Sequence, residues 1–317
     1  MSETIYSTKP LVSISVVTYN HKHYIEQCID SLLKQQTTFP FEIILGEDAS
    51  QDGTRDICLE YAKKYPDVIR LFLRKREDVI HINGTATGRF NMMENIRDCR
   101  GKYIALCEGD DYWKDPLKLQ KQVDFMEAHP DYVIHSGVAS ILHNDSNRCG
   151  HQYIGAERVD SDYKLEDFYG RNHLVTCTVL FRNCITHWPE VFKTVTLGDW
   201  FLYTVLLKQT GLKAYKSSDV LSVYRVHGTS MMQTLQPRVK YERRIFQIKA
   251  IKQYIGYKYY PMHVMQCINA NSIGKVRVEL SHKMYKAALL TFFKNLYYCK
   301  HRISVRKYFS ALKHDFK

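Results

Sequence analysis

Three carboxylates, those of Glu108, Asp110 and Asp111, directly follow the short apolar run 103–107. A run of this length and composition predicts a buried β-strand, so the acids are expected at its C-terminal end, where ligands bind in open α/β sheets. Clustered carboxylates repel one another unless a cation or hydrogen-bond donors compensate them. Oxygen ligands beside an open cleft suit Mg²⁺ or Mn²⁺, which usually also contact a substrate's phosphates. The alternative interpretation is a turn that precedes the helix beginning at Pro116.

Polar residues also follow the first two predicted strands. Thr18, Tyr19 and Asn20 end the first, and Asp48 follows the second. An aromatic ring and a carboxylate from neighbouring strand ends are suited to stacking on a nucleobase and hydrogen-bonding it. In the alternative interpretation, Tyr19 packs on the next helix and Asp48 shapes a turn.

Alternating strands and helices in the first 135 residues must position these polar residues. The strands are predicted from β-branched and aromatic residues at 11–19, 41–47, 68–73 and 103–107. The helices are predicted from apolar residues at helical spacing in 24–34, 52–65, 90–99 and 116–128. This alternation predicts an α/β fold with a mostly parallel central sheet and flanking helices.

The pattern is less regular beyond residue 130. Strands are predicted at 132–142 and 175–181, with a closing pair at 212–216 and 220–226. Helices are predicted at 197–209, 239–256 and 281–314. A turn-rich segment at 228–237 separates the last predicted strands from the predicted helices at 239–256 and 281–314.

The net charge of +12 is concentrated in the C-terminal quarter. Residues 232–317 contain 18 Lys and Arg against 3 Asp and Glu, whereas the preceding residues contain 27 against 30. The nine cysteines show no zinc-like spacing, which predicts reduced thiols in a cytoplasmic protein. The first ten residues lack the apolar core of a signal peptide, and no apolar stretch approaches the roughly 20 residues of a membrane span.

Four segments together resemble the family-2 glycosyltransferases. They are LVSISVVTYN at 11–20, EDASQDGT at 47–54, GKYI at 101–104 and EGDDYW at 108–113. The resemblance covers roughly residues 10–230, and the motifs occur in the family's order. It implies a GT-A-type catalytic domain at 1–230, which a basic helical C-terminal extension at 231–317 would follow. The activity it implies is transfer of a sugar from a nucleotide-sugar.

The resemblance also implies a nucleotide-sugar pocket. Its predicted residues are Thr18, Tyr19, Asn20, Asp48, Asn91, Glu108 and Asp110, with Asp48 contacting the base. The predicted ligands for Mn²⁺ or Mg²⁺ are Asp110, Asp111 and His227. Asp111 is the favoured metal ligand, whereas Asp110 is assigned either to the metal or to the ribose.

Asp199 resembles the family's catalytic base, which would deprotonate the acceptor hydroxyl as it attacks the anomeric carbon. Without the resemblance, a helix N-cap is the better interpretation of this residue. A single base with no second nucleophilic carboxylate implies inversion, again by analogy with the family. The predicted donor is a UDP-sugar and the predicted acceptor a glycan or a polyprenyl-linked sugar, in surface polysaccharide or glycolipid synthesis. The rival predictions are a metal-dependent nucleotidyltransferase and a non-catalytic nucleotide-sugar-binding protein.

The basic segment 281–314 mixes apolar residues with Lys and Arg at near-helical spacing. Such a helix can lie on an anionic membrane surface, which predicts a peripheral protein on the inner face of the cell membrane. The alternative is a helical cap packed on the catalytic domain. Nucleic acid is not expected as a partner, because no known binding module is present.

Overall fold

The structure is a computed structural model that describes residues 9–143, 148–154, 159–228, 235–256 and 261–299. Contacts divide the chain into two compact units. The first comprises Met1–Lys164, His173–His187 and Val205–His227, and the second comprises Leu165–Asn172, Trp188–Thr204 and Gly228–Lys317. Two segments before residue 230 thus group with the C-terminal region, and the predicted division between 230 and 231 stays a prediction.

The first unit contains the strands. They are β1 (Val12–Thr18), β2 (Phe41–Glu47), β3 (Ile69–Leu73), β4 (His81–Ile82), β5 (Thr85–Ala86), β6 (Tyr103–Glu108), β7 (Tyr112–Trp113), β8 (Tyr132–His143), β9 (Arg148–Ile154), β10 (Ser161–Tyr163), β11 (Leu180–Arg182) and β12 (Lys213–Val226). Four helices accompany them, namely α1 (Ile25–Leu33), α2 (Thr54–Lys64), α3 (Arg89–Asp98) and α4 (Lys118–Ala128). The elements predicted for the first 135 residues are therefore confirmed, with shifts of a few residues at their ends.

The main sheet follows the order β10-β12-β8-β11-β6-β1-β2-β3, with β7 added beside β12 and β9 beside β8. β6, β1, β2 and β3 run parallel, whereas β11 is antiparallel to both β6 and β8. The predicted α/β fold is confirmed, and the sheet is mixed rather than purely parallel, since β11 and β10 each run antiparallel to their neighbours. The predicted closing pair is one long strand, β12, which runs parallel to β8. Hydrophobic periodicity locates strands but does not encode their direction, so the antiparallel strands of the sheet could not be identified from the sequence.

The core of the first unit lies around β1 and β6. Val12, Ile14 and Val16 of β1 are fully buried, and α1 covers them with Ile25 and Ile29. A strand buried on both faces is expected in the parallel part of an α/β sheet. Burial on this scale fixes the position of the strand ends, where the candidate site residues lie.

The second unit contains α6 (Pro237–Ile255), α7 (Met262–Ser281) and α8 (Tyr285–Cys299). The prediction of one helix over 281–314 is wrong at its start, because α7 ends at Ser281 and α8 begins at Tyr285. Lys283 between them adopts a left-handed φ of 58°, which a continuous helix excludes. Residues 300–314 lie outside the described residues.

α5 (Gly198–Thr210) is divided between the two units. No helix in the described ranges is long and apolar enough to cross a membrane.

Candidate active site

The candidate site of the first unit lies at the C-terminal edge of β2, β1 and β6. β1 is the middle strand, and its residues Thr18 and Val17 pair with Glu47 of β2 and Glu108 of β6. Neighbouring strands lie about 4.8 Å apart, so the ends of β2 and β6 are separated by roughly 10 Å. The loops after these three strands therefore present their side chains along one edge.

The loops after β1 and β2 are tied together at Asn20. Its backbone N–H donates to Ser50 Oγ at 2.9 Å, and its Oδ1 accepts from the backbone N–H of Gln51 at 3.0 Å. Asn20 and Ala49 both have left-handed backbones, with φ of 54° and 58°. Asn20, predicted to line the pocket, thus fixes the shape of the two loops, while Thr18 is buried at the end of β1.

Tyr19, Asp48 and Arg76 form a slot at the end of β1 and β2. The guanidinium of Arg76 lies 4.1 Å from the centre of the Tyr19 ring and donates to Asp48 Oδ2 at 2.9 Å. Oδ1 of Asp48 is buried and accepts no hydrogen bond from the described residues. Burial raises the pKa of Asp48 to about 6, although the charge of Arg76 opposes the increase. The slot therefore brings together an aromatic ring, a guanidinium that lies over it, and a buried carboxylate oxygen that accepts no hydrogen bond from the described residues.

Asp110 contacts His227 from the end of β12. His227 Nε2 lies 3.0 Å from Asp110 Oδ2, and the Nε2 of His21 lies 3.8 Å from the same oxygen. Burial would raise the pKa of Asp110, but the hydrogen bond with His227 and the nearby His21 outweigh it and lower the pKa. Burial also lowers the pKa of His21. The predicted residues Asp110 and His227, which are distant in sequence, are brought together.

Asp111 faces the interior of the first unit. It is 1% exposed, and its Oδ1 accepts from the backbone N–H of Arg225 at 2.8 Å. Its Oδ2 is also buried and accepts no hydrogen bond from the residues described. Burial, and then the charge of Asp110, raise the pKa of Asp111 well above its usual range. Of the two aspartates, Asp110 is the one with an accessible carboxylate, at 18% exposure.

Arg225 organises the loop that carries these acids. Its Nε donates to the carbonyl of Asp110 at 2.7 Å, and its Nη2 donates to Gln27 Oε1 of α1 at 2.6 Å. The guanidinium also lies 4.8 Å from the Tyr24 ring and 5.4 Å from the Tyr112 ring. One buried side chain thus links the acid loop, α1 and β12.

Glu108 and Asn91 occupy less open positions. Glu108 is half-buried at the end of β6, followed by Gly109, where a Cβ would approach Thr18 Oγ1 to 2.6 Å. A side chain at Gly109 would therefore force β1 and β6 apart at the site. Asn91 is buried, and its Nδ2 donates to the carbonyl of Gly46 at 2.7 Å. That bond holds α3 against β2.

Asp199 belongs to the second unit. It lies in the first turn of α5, after Gly198, and its Oδ2 accepts from Asn172 Nδ2 at 2.8 Å. An acid in a first turn interacts favourably with the helix dipole. The carboxylate is half-buried and held in one orientation by Asn172.

The donors around Asp110 fit a divalent cation of a particular kind. Among the described residues, no group of three or more His, Cys, Asp or Glu side chains is arranged to hold a metal ion. Mg²⁺ is often bound through only one or two carboxylates and completes its shell with substrate phosphates and water. Asp110 offers one partly exposed carboxylate of that kind, and His227 Nε2 lies 3.0 Å from its Oδ2 as a possible nitrogen ligand.

Sequence reasoning missed Arg76, Arg225 and His21. Arg225 lies in the predicted strand 220–226 and Arg76 in a segment with no predicted element, and a lone arginine has no spacing that marks a role. His21 directly follows the Tyr19-Asn20 motif, which was a usable signal.

The family model described as "Glycosyl transferase family 2" matches residues 13–184. An uncharacterized protein of Mycobacterium tuberculosis is 32% identical over 216 residues, which cover 68% of this chain and 59% of that protein. The chain thus spans about three fifths of the length of that relative. A putative teichuronic acid biosynthesis glycosyltransferase of Bacillus subtilis, TuaG, is 30% identical over 70% of this chain and 82% of its own.

Two solved structures share the fold. Staphylococcus aureus TarS residues 1–349, in complex with UDP-GlcNAc, matches with a TM-score of 0.58 and 18% identity, over 83% of this chain and 72% of that one. The mannosyltransferase PcManGT of Pyrobaculum calidifontis, in complex with GDP-Man and Mn²⁺, matches with a TM-score of 0.58 and 17% identity, over 97% of this chain and 80% of its own. The predicted GT-A-type fold is confirmed.

Proposed function

The chain belongs to glycosyl transferase family 2, and we propose that it transfers a sugar from a nucleoside-diphosphate sugar to an acceptor hydroxyl. The observation that carries the proposal is the edge formed by β2, β1 and β6. The Tyr19–Asp48–Arg76 slot stands at one end of this edge, and the Asp110–His227 pair stands about two strand spacings away. This arrangement suits a nucleoside at one end and its diphosphate at the other. The family match favours glycosyl transfer over the nucleotidyltransferase alternative.

The proposed donor nucleotide is UDP. Uracil presents an N3–H donor flanked by carbonyl acceptors, whereas guanine presents two adjacent donors, N1–H and the 2-amino group. Asp48 has one buried oxygen left to accept a hydrogen bond, and Arg76 beside it is a donor. One acceptor next to one donor complements uracil, and Tyr19 supplies a ring on which the base can stack. UDP-GlcNAc in TarS agrees with this choice, while GDP-Man in PcManGT represents the alternative.

The proposed metal ligands are Asp110 and His227, for Mn²⁺ or Mg²⁺. When bound, the cation would neutralise charge on the diphosphate as the nucleoside diphosphate leaves. Asp111 was the favoured metal ligand from the sequence, but its burial supports another role. Its carboxylate accepts a hydrogen bond from the backbone N–H of Arg225 and so sets the path of the loop after β6. Mn²⁺ in PcManGT supports the choice of a divalent cation.

Asp199 is the proposed base. Its carboxylate would accept the proton of the acceptor hydroxyl as that oxygen attacks the anomeric carbon, and the configuration would invert. Asn172 would hold the carboxylate in one orientation through its 2.8 Å hydrogen bond. The proposed acceptor is a glycan or a polyprenyl-linked sugar, and the proposed location is the cytoplasmic face of the membrane. TuaG, named for teichuronic acid biosynthesis, supports a role in surface polysaccharide synthesis.

Isothermal titration with a panel of UDP- and GDP-sugars, with Mn²⁺ or with EDTA, tests the proposal. We expect one UDP-sugar to bind in the presence of Mn²⁺ and binding to weaken at least tenfold in EDTA and in Asp110→Asn. Asp67→Asn, an exposed aspartate after α2, is the matched control and should bind normally. Failure of every donor to bind would reject the proposal, and binding of GDP-sugars alone would reject the choice of UDP.

A further inference from the structure

Helix α8 leaves large apolar residues exposed, although it also packs Ala288 and the partly buried Phe292 against α7. Its buried side carries Ala288, Thr291 and Asn295, which are 4%, 6% and 2% exposed. Its outer side carries Leu289, Leu290, Phe293 and Tyr297, which are 58%, 55%, 56% and 79% exposed. A surface helix of a globular protein normally shows the opposite arrangement. The exposed side, together with Lys286 and Lys294, is called here the outer face of α8.

Hydrogen bonds within the second unit fix this orientation. Thr291 Oγ1 donates to Glu279 Oε2 of α7 at 2.9 Å, and Asn295 Nδ2 donates to Asn269 Oδ1 at 2.8 Å. Rotating α8 to bury its leucines would break both bonds and leave Glu279, which is 0% exposed, without the donor Thr291. The apolar outer face is therefore the stable orientation of the helix.

The outer face is also basic. Residues 280–314 contain eight Lys and Arg and no Asp or Glu. The two acids of 235–299 lie near the inner side of α8 and are each paired with a basic side chain: Glu242 pairs with Lys275 at 2.9 Å, and Glu279 pairs with Arg238 at 3.0 Å. Lys286 therefore lies among exposed leucines and aromatic rings on a helix that carries no acidic residue.

A groove beside α8 extends this character. It has a volume of about 240 Å³ and lies between α6, α7 and α8. Lys249 and Lys294 line it, together with the Lys275–Glu242 ion pair and Phe246, which is 45% exposed on α6. Cationic and aromatic groups thus continue from the outer face of α8 towards α6.

We propose that the outer face of α8 docks on an anionic lipid surface. A helix of 15 residues is about 22 Å long and can lie in the plane of the membrane, with its apolar side chains among the headgroups and upper acyl chains. Lys286 and Lys294 would extend to the lipid phosphates, and Tyr297 suits the interface between headgroups and hydrocarbon. The acidic headgroups supply the negative charge that α8 lacks.

Two other occupants of this face fit less well. In a symmetric dimer, each partner would bring the same lysines and no acid, so like charges would meet within an apolar contact. Residues 300–317 carry six Lys and Arg against one Asp, and they would meet the same repulsion. An anionic bilayer is the one of these three surfaces that is complementary in both charge and polarity.

The inference refines the peripheral membrane location in the proposed function, yet its test is independent of that function. The full-length protein is sedimented with vesicles of phosphatidylcholine alone and with vesicles containing phosphatidylglycerol at 30%. We expect binding to the anionic vesicles and at least tenfold weaker binding to the neutral ones. Binding should also weaken at high salt, because exposed charges are screened.

Two pairs of variants separate the apolar and charged contributions. Leu289→Ser with Phe293→Ser should reduce vesicle binding at least tenfold, whereas Leu59→Ser with Leu73→Ser, which are exposed leucines of the first unit, should not. Lys286→Glu with Lys294→Glu should abolish the preference for anionic vesicles. Lys63→Glu with Lys64→Glu on α2 is the control of equal charge change. Circular dichroism melting checks that each variant is folded.

No binding of the full-length protein to anionic vesicles would overturn the inference. The inference would also be overturned if light scattering showed that the wild type is a dimer, that Leu289→Ser with Phe293→Ser is a monomer, and that neither protein binds vesicles. UDP-sugar titration is run on the same proteins. A protein that binds the UDP-sugar but not the vesicles would reject the docking surface alone. A protein that binds anionic vesicles but no donor would reject the proposed function alone.

Discussion

The carboxylate of Asp110 and the imidazole of His227 are separated by 117 positions in sequence, yet their Oδ2 and Nε2 atoms lie 3.0 Å apart. They come from the loop after β6 and from the end of β12, which is tied to that loop by the bond from Arg225 N–H to Asp111. His227 is 4% exposed, so few other orientations are open to it. The pair is therefore a largely buried contact with a defined geometry rather than a contact between two exposed side chains.

Replacing His227 with Ala should weaken Mn²⁺ binding in the presence of UDP by tenfold or more, because a ligand is lost. The pKa of Asp110 should also rise, since burial would no longer be opposed by the hydrogen bond with His227. Isothermal titration with Mn²⁺ measures the affinity, and His23→Ala, an exposed neighbour, is the control. Equal Mn²⁺ affinity in His227→Ala and the wild type would remove His227 from the metal site.

Nucleotide binding should depend on pH through Asp48. Its pKa is about 6, and an N–H donor of the base interacts best with the ionised form. Binding therefore favours the deprotonated carboxylate, so affinity should rise from pH 5 to pH 7, by up to about tenfold. Titration with UDP at pH 5, 6 and 7 measures this change. Asp48→Asn cannot ionise, so it should bind UDP weakly and lack the increase in affinity between pH 5 and pH 7. An identical pH profile in the wild type and Asp48→Asn would contradict the role of Asp48 in binding the base.

Arg225 should contribute strongly to the stability of the first unit. Arg225→Leu would leave the carbonyl of Asp110 without its donor and remove the cation–π contacts with Tyr24 and Tyr112, at a cost of about 2–4 kcal/mol in the free energy of unfolding. Arg97→Leu on α3, where the arginine side chain is 72% exposed, should change stability by less than about 0.5 kcal/mol. Urea denaturation compares the two variants. A similar small loss in both would show that Arg225 does not organise the loop.

Lys118 should make stability depend on pH. It is 0% exposed, its Nζ donates to Gln122 Oε1 at 2.6 Å, and burial lowers its pKa to about 7. Between pH 7 and about 10.4, the unfolded chain binds this proton and the folded one does not, so stability rises with pH. Between pH 7 and pH 9, the free energy of unfolding of the wild type should increase by about 2 kcal/mol more than that of Lys118→Met.

Urea denaturation of the wild type and Lys118→Met at pH 7 and pH 9 measures that difference. Lys121→Met, an exposed position one turn along α4, controls for loss of a lysine and should follow the wild-type slope. Parallel pH dependence in the wild type and Lys118→Met would show that Lys118 is protonated in both states.

The first half of the fold was predictable because local pattern and tertiary role agree there. β1, β2 and β6 are apolar runs that are buried on both faces, and each ends in a polar motif. The direction of β11 was not predictable, since three residues after a 3₁₀ turn carry no signal of orientation. The start of α8 was missed for a similar reason: Lys283 breaks the helix through its backbone conformation, although lysine is a good helix former.

The candidate site divides in the same way. Asp48 and Asp110 were identified from their places after strands, which sequence shows directly. The contacts of Arg76 with Tyr19 and of Arg225 with Asp110 depend on long-range packing, which sequence spacing does not contain. The different environments of Asp110 and Asp111 follow from which side of the loop each residue faces, and two adjacent identical residues give no sign of that.

The most direct test of the proposed glycosyl transfer is UDP release from the bound UDP-sugar in the presence of Mn²⁺, with water in place of the acceptor. We expect slow release by the wild type and a rate at least about 100-fold lower in Asp199→Asn. Donor affinity in Asp199→Asn should match the wild type, and Asp167→Asn, an exposed aspartate of the second unit, should keep the wild-type rate. Unchanged UDP release in Asp199→Asn, or no release by the wild type with any donor that binds, would contradict the account.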